Sequence, residues 1–175
     1  MSARTPKKLF HAKRFDVEEV YQKLDDGSLH ARQVVRHPGA VVILPLVDAN
    51  HVCLIHSYRV AVDRWLLELP AGTLEPPEPP LVQAQKELLE ETGYRAKRWN
   101  AIHTFCMSPG ILDEQMHFYL AQELTPGNPE REVGEQIDNR VLSWSEIDRL
   151  LRDGKILDAK TLVGLLWYLR YREHA

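Results

Sequence analysis

Glu87, Glu90 and Glu91 fall within the short stretch KELLEETG. Glu87 and Glu91 are four apart and Glu90 is three from Glu87, so on a helix all three side chains point to one sector of its surface. Like charges at this spacing repel, each close pair costing roughly 0.2–0.5 kcal/mol on an exposed helix. An ordinary solvated face tolerates that, and Lys86, four residues before Glu90, offsets part of it. The same carboxylates are hard oxygen donors of the kind Mg2+ takes, and a loop carbonyl facing them would add a ligand without burying uncompensated charge.

The segment before them, LPAGTLEPPEPP at 69–80, holds five prolines and a glycine and excludes helix up to Pro80, where a helix can begin. Gly93 stands where a left-handed cap would end it. The order is therefore strand, stiff loop, carboxylate helix over 80–92, cap.

That arrangement is similar to the Nudix box: Gly, five residues, Glu, seven residues, Arg-Glu, an aliphatic, any residue, Glu-Glu, any residue, Gly and an apolar residue. The corresponding places hold Gly72, Glu78, Lys86, Glu87, Leu88, Glu90, Glu91, Gly93 and Tyr94. Six Gly or Glu positions falling into place by chance, at about 7% each, is on the order of one in ten million per start, a figure weakened by the correlation of acids within helices. The one departure is Lys86, which keeps the charge of the usual arginine and lacks its planar fork, so the orientation of Glu90 is expected to be looser.

Beyond the box, SYRVAVDRWLLELPAGTLEP followed by SPGILDEQMHFYLAQEL resembles the ADP-ribose pyrophosphatase branch, and with the final DAKTLVGLL helix the likeness covers most of residues 15–172. Ser57 stands where a Gln commonly precedes the Tyr-Arg pair. The resemblance implies metal binding by the Ala71 carbonyl, Glu87 and Glu91, with Glu90 beside them. Arg59 would meet the pyrophosphate, Glu68 and Glu114 would line the pocket, and the loop from Ser108 to Gly110 would lie next to it. Read as residues alone, Arg59 and Glu68 are equally ordinary strand charges and Ser108–Gly110 an ordinary turn.

Hydrolysis of a pyrophosphate needs neutralised non-bridging oxygens, an in-line water and a base for its proton; Mg2+ or Mn2+ meets the first need. The base is expected among the acids of loop 130–138, close to the metals without being locked as a ligand. Glu135 is the first choice, since it lies just before the Ile137–Trp144 strand as the family's loop acid does; Glu132 follows, and Glu114 stays open. The expected reaction takes ADP-ribose to AMP and ribose 5-phosphate, with GDP-mannose or another nucleoside diphosphate sugar as the alternative substrate. A non-catalytic nucleotide-sensing module of the same fold and an unrelated metal-stabilised carboxylate protein are the competing classes.

The chain has 175 residues, 44% apolar and 27% charged, enough for one globular domain. Its net charge of -3 provides no basic field for nucleic acid or anionic membranes. Two cysteines, Cys53 and Cys106, form neither a disulfide framework nor a zinc pattern, and no apolar run is long enough to span a membrane. A soluble, cytoplasmic protein is expected. The basic start, Arg4 to Arg14, reads as a mobile or edge-strand segment rather than a targeting helix.

Residues 15–36 predict two strands around LDDGS, and AVVILPLV followed by HVCLIHSYR predicts a second hairpin through Asp48–Asn50, its first arm buried on both faces. Further strands are expected in WLLELPA, AIHTFCM, QMHFYLAQ and NRVLSW. Helices are expected at 145–151 and after Asp158, a plausible N-cap. The fold class is α+β: a Nudix fold, with a mixed sheet between helices in an α/β/α sandwich, plus an N-terminal antiparallel extension. The extension spans 1–38 and the hydrolase domain 39–175. A free two-stranded ribbon carrying Phe15, Val17, Val20, Tyr21, Leu24, Leu29, Val34 and Val35 exposes more apolar surface than water tolerates, and the resemblance implies that a homodimer covers it.

Overall fold

A computed structural model describes residues 5–131 and 136–172. The chain opens with an antiparallel sheet of β1 (Lys7–His11), β2 (Asp16–Lys23) and β3 (Leu29–Arg36), in the order β1-β2-β3. Asp16 pairs with Arg36 at one end of the β2–β3 ladder and Lys23 with Leu29 at the other. Gly27, at φ +84°, supplies the left-handed residue of the turn between them. Lys7 and Lys8 of the basic start lie in an edge strand, with a bulge between Lys8 and Phe10.

Four strands form a mixed sheet, β7-β4-β9-β8, from β4 (Ala40–Pro45), β7 (Ala71–Thr73), β8 (Arg95–Cys106) and β9 (Gln115–Thr125). β4 runs parallel to β9 and antiparallel to β7. All six of its residues are buried, as its continuous apolar run demands. Alternation along the strand then divides the core. Val41 and Ile43 pack with Ala84 and Leu88 of the carboxylate helix, while Val42 and Leu44 pack with Leu54, Phe118, Ile147 and Leu165 on the other side. Each fully buried Val, Leu, Ile or Phe among them contributes about 1.5–3 kcal/mol of transfer free energy.

The expected second hairpin is corrected by this arrangement. β5 (His51–Arg59) meets the end of β4 through a single bridge, Leu46 to Val52. β7 and β9 already occupy both edges of β4, so β5 turns away. It becomes the centre of a second, antiparallel sheet, β10-β5-β6, with β6 (Arg64–Glu68) and β10 (Ile137–Ser143).

Helix α1 (Pro80–Glu87) starts with proline at its first position. It does not continue as a plain helix to residue 92: Leu88–Thr92 widen into a π turn, which Gly93 ends at φ +79°. Helix α2 (Trp144–Arg152) begins with a reciprocal capping box between Ser143 and Glu146. Helix α3 (Ala159–Tyr171) is capped by the Asp158 carboxylate, which accepts from the Thr161 N–H. Among the described residues no helix is long and apolar enough to cross a membrane.

Candidate active site

A cleft of about 540 Å³ opens where β7, α1 and the π turn meet the ends of β5 and α3. Ala71, Gly72, Glu87, Glu90 and Glu91 line one wall. The close fit of β7 against the helix depends on glycine: a Cβ on Gly72 would fall 1.7 Å from Oε1 of Glu87. Gln83, one turn earlier on α1, donates its side-chain amide to that same oxygen at 2.9 Å. The buried Glu91 carboxylate accepts from the Ala71 N–H at 3.0 Å.

The π turn is held from outside. As at any helix end, its last carbonyls have no partner within the helix, and other segments satisfy them. The Glu130 N–H donates to the Glu90 carbonyl at 3.0 Å. The Arg131 guanidinium donates to the Glu91 carbonyl, and the Asn139 amide to that of Thr92 at 2.7 Å. Arg131 also donates to the Asn139 side-chain oxygen, so loop and strand β10 act together.

Across the cleft, Arg59 at the end of β5 grips Glu68 at the end of β6 with two hydrogen bonds, Nε to Oε1 at 2.7 Å and Nη2 to Oε2 at 2.8 Å. Glu68 is 1% exposed and sits behind Arg59. Burial alone pushes its carboxyl pKa up; the Arg59 bonds and the charge of Lys160 outweigh that and hold it below the ordinary range. Lys160, on the first turn of α3, donates to Glu68 and to Asp158 Oδ1, the latter at 3.0 Å.

Glu114 lines the cleft and lies 3.4 Å from the His37 ring. Ser108 and Gly110 are not among the cleft-lining residues. They belong to an exposed turn in which the Ser108 carbonyl accepts from Ile111 and Leu112, docked on β3 through Val35 and Ile111. Glu132 and Glu135 lie outside the described residues.

Lys13, Arg14, Asp158 and Lys160 also line the cleft, although the sequence suggests a site role for none of them and only a helix N-cap for Asp158. The tertiary fold brings the first pair, read in sequence as part of a mobile or edge-strand start, to the same cleft as residues nearly sixty positions on. The signal for the second pair is the polar D-A-K-T start of an otherwise apolar helix.

The Glu87 and Glu91 carboxylates on this wall are hard oxygen donors that suit a divalent cation, and the missing side chain at Gly72 is what lets the Glu87 carboxylate occupy its place beside β7. Among the described residues no three His, Cys, Asp or Glu side chains form a ready cage. The expected ligand set needs only two carboxylates and one carbonyl.

A family model described as the NUDIX domain matches residues 35–163, and the chain belongs to that family. It is 34% identical to an ADP-ribose pyrophosphatase of Bacillus subtilis (strain 168), over 94% of this chain and 90% of the relative. It is 36% identical to a GDP-mannose pyrophosphatase of Cronobacter sakazakii, over 84% of this chain and 82% of the relative. A solved structure titled as an ADP compounds hydrolase superposes with a TM-score of 0.82, covering 99% of this chain and 97% of the other at 23% identity. The expected Nudix fold and α+β class hold.

Proposed function

We propose that this protein is a divalent-metal-dependent hydrolase that cleaves ADP-ribose between its phosphates, giving AMP and ribose 5-phosphate. The observation that carries the reading is that one cleft is lined both by the carboxylates of the box with Ala71 and by Arg59, whose guanidinium is fixed on Glu68. The B. subtilis relative favours ADP-ribose as substrate; GDP-mannose is the alternative.

The cleft residues divide the work. Glu87, Glu91 and the Ala71 carbonyl are proposed to hold Mg2+ or Mn2+, which when bound neutralises the non-bridging oxygens and acidifies the attacking water. Arg59, fixed by Glu68, presents its outer N–H edge to the pyrophosphate. The water oxygen bonds to one phosphorus while the bridging oxygen leaves with the other phosphate. Its proton passes to a carboxylate: Glu135 first, then Glu132, with Glu90 and Glu114 at the cleft as further acceptors. Ser108 and Gly110 are proposed to bear on substrate only through the loop that leads into Glu114.

The extension, 1–38, is proposed to pair with a second copy, leaving 39–175 as the hydrolase domain. No residue of β1, β2 or β3 is buried in the single chain, and Leu9, Phe10, Phe15 and Leu29 are at least 40% exposed. A cytoplasmic setting accords with two cysteines and no disulfide.

Incubating the purified protein with ADP-ribose, GDP-mannose and other nucleoside diphosphate sugars, each with Mg2+ or Mn2+, tests the function. Release of AMP, fastest from ADP-ribose, is expected. Tight binding without release of any nucleoside monophosphate would overturn catalysis in favour of a sensing module.

A further inference from the structure

We propose that Lys160 is a positioning residue for pyrophosphate recognition, holding Glu68 so that Glu68 can fix Arg59 without cancelling its charge. The inference rests on the reading of the cleft as a pyrophosphate site.

An arginine paired with one buried carboxylate forms a neutral unit, which offers a phosphate geometry but little net attraction. Here a single carboxylate, that of Glu68, is shared by two cations. Arg59, Glu68 and Lys160 together carry a formal +1 beside an acidic wall. Asp158 also touches Lys160, but its other oxygen caps α3, where the positive end of the helix dipole offsets part of its charge.

The start of α3 also sets where Glu68 lies. The Thr161 hydroxyl accepts from the Leu69 N–H at 2.8 Å. Gly164 lets the helix close on Leu69, since a Cβ there would come 2.5 Å from Leu69 Cδ1. Two residues further on, the Ala71 N–H bonds Glu91. One helix end thus ties Leu69 and Glu68 in place, and Lys160 is the cation it contributes to Glu68.

Lys160→Met keeps the length of the aliphatic stem and removes the charge; Lys160→Arg keeps the charge. Affinity for inorganic pyrophosphate with Mg2+ is measured by calorimetry in the wild type, both Lys160 variants, Arg59→Ala and Arg59→Ala/Lys160→Met, alongside melting temperatures and ADP-ribose kinetics. Lys160→Met is expected to weaken pyrophosphate binding about tenfold and to raise KM similarly while kcat stays within about threefold, with Lys160→Arg close to wild type. In the Arg59→Ala background the same change should cost less than about twofold, because its route to the ligand is gone.

Unchanged pyrophosphate affinity in Lys160→Met, whether or not it melts earlier, overturns the proposal. An equal loss with and without Arg59 overturns it too, since Lys160 would then touch the ligand itself. Wild type that fails to hydrolyse ADP-ribose while showing the expected pyrophosphate pattern overturns the functional reading and supports the network. Wild type that hydrolyses it while Lys160→Met binds normally does the reverse.

Discussion

Gly72 lies so close to Glu87 that a Cβ at position 72 would stand 1.7 Å from Oε1 and 1.9 Å from Cδ of that glutamate. The glycine is required by this approach and not by its backbone, which is an ordinary strand. The clash falls on the end of a flexible side chain, so Gly72→Ala should leave the fold in place and displace the carboxylate. The melting temperature is expected to move by less than about 4 °C. Affinity for Mg2+ should fall about 10- to 100-fold. A variant that binds metal normally would show that Glu87 is not a ligand.

Lys86 is engaged elsewhere than its place in the box implies. Its ammonium lies 2.7 and 2.6 Å from the two oxygens of Glu78, tying the proline-rich loop to α1. Both side chains are more than a third exposed, and exposed pairs contribute about 0–1 kcal/mol. Lys86→Arg should therefore change kcat/KM by less than about threefold. A tenfold gain would mean that the fork reaches the metal carboxylates after all.

The two thiols should differ sharply. Burial pushes the Cys53 thiol up to about 12 from 9.0, so it stays protonated and unreactive at neutral pH, whereas Cys106 is exposed. Titration with a chromogenic disulfide reagent near pH 8 should find one reactive thiol in the native protein and two in denaturant. Two fast native thiols would show that the centre of the second sheet opens readily.

Sedimentation equilibrium tests the proposed dimer. The full chain should run at twice 20.2 kDa at micromolar concentration, and a mass near 20.2 kDa would reject the pairing. Deleting residues 1–36 should give monomers and also weaken substrate binding, because Lys13 and Arg14 reach the cleft.

Local signals carried much of this molecule. Pro80, Gly93 and Asp158 marked helix ends correctly, and the apolar run at 40–45 foretold a strand buried on both faces. What sequence order hid was set by competition in three dimensions. β5 left β4 because β7 and β9 held both its edges, which no alternation within β4 or β5 encodes. The carbonyls that end the π turn at Leu88–Thr92 find their partners some forty residues away, in Glu130, Arg131 and Asn139. Lys160 and Asp158 read as the polar start of a helix, and only the fold set Glu68 of β6 against Lys160. Glu132 and Glu135 remain proposals from the resemblance.

The carboxylates of the π turn and α1 are proposed to hold the metal that makes this cleft a pyrophosphatase, and Glu91→Gln probes that assignment at a single charge. The change removes one charge at nearly constant shape. With ADP-ribose and Mg2+, AMP release by the variant should fall at least about a thousandfold below wild type while its circular dichroism and melting behaviour stay native. A folded Glu91→Gln protein that releases AMP at the wild-type rate would contradict the assigned site.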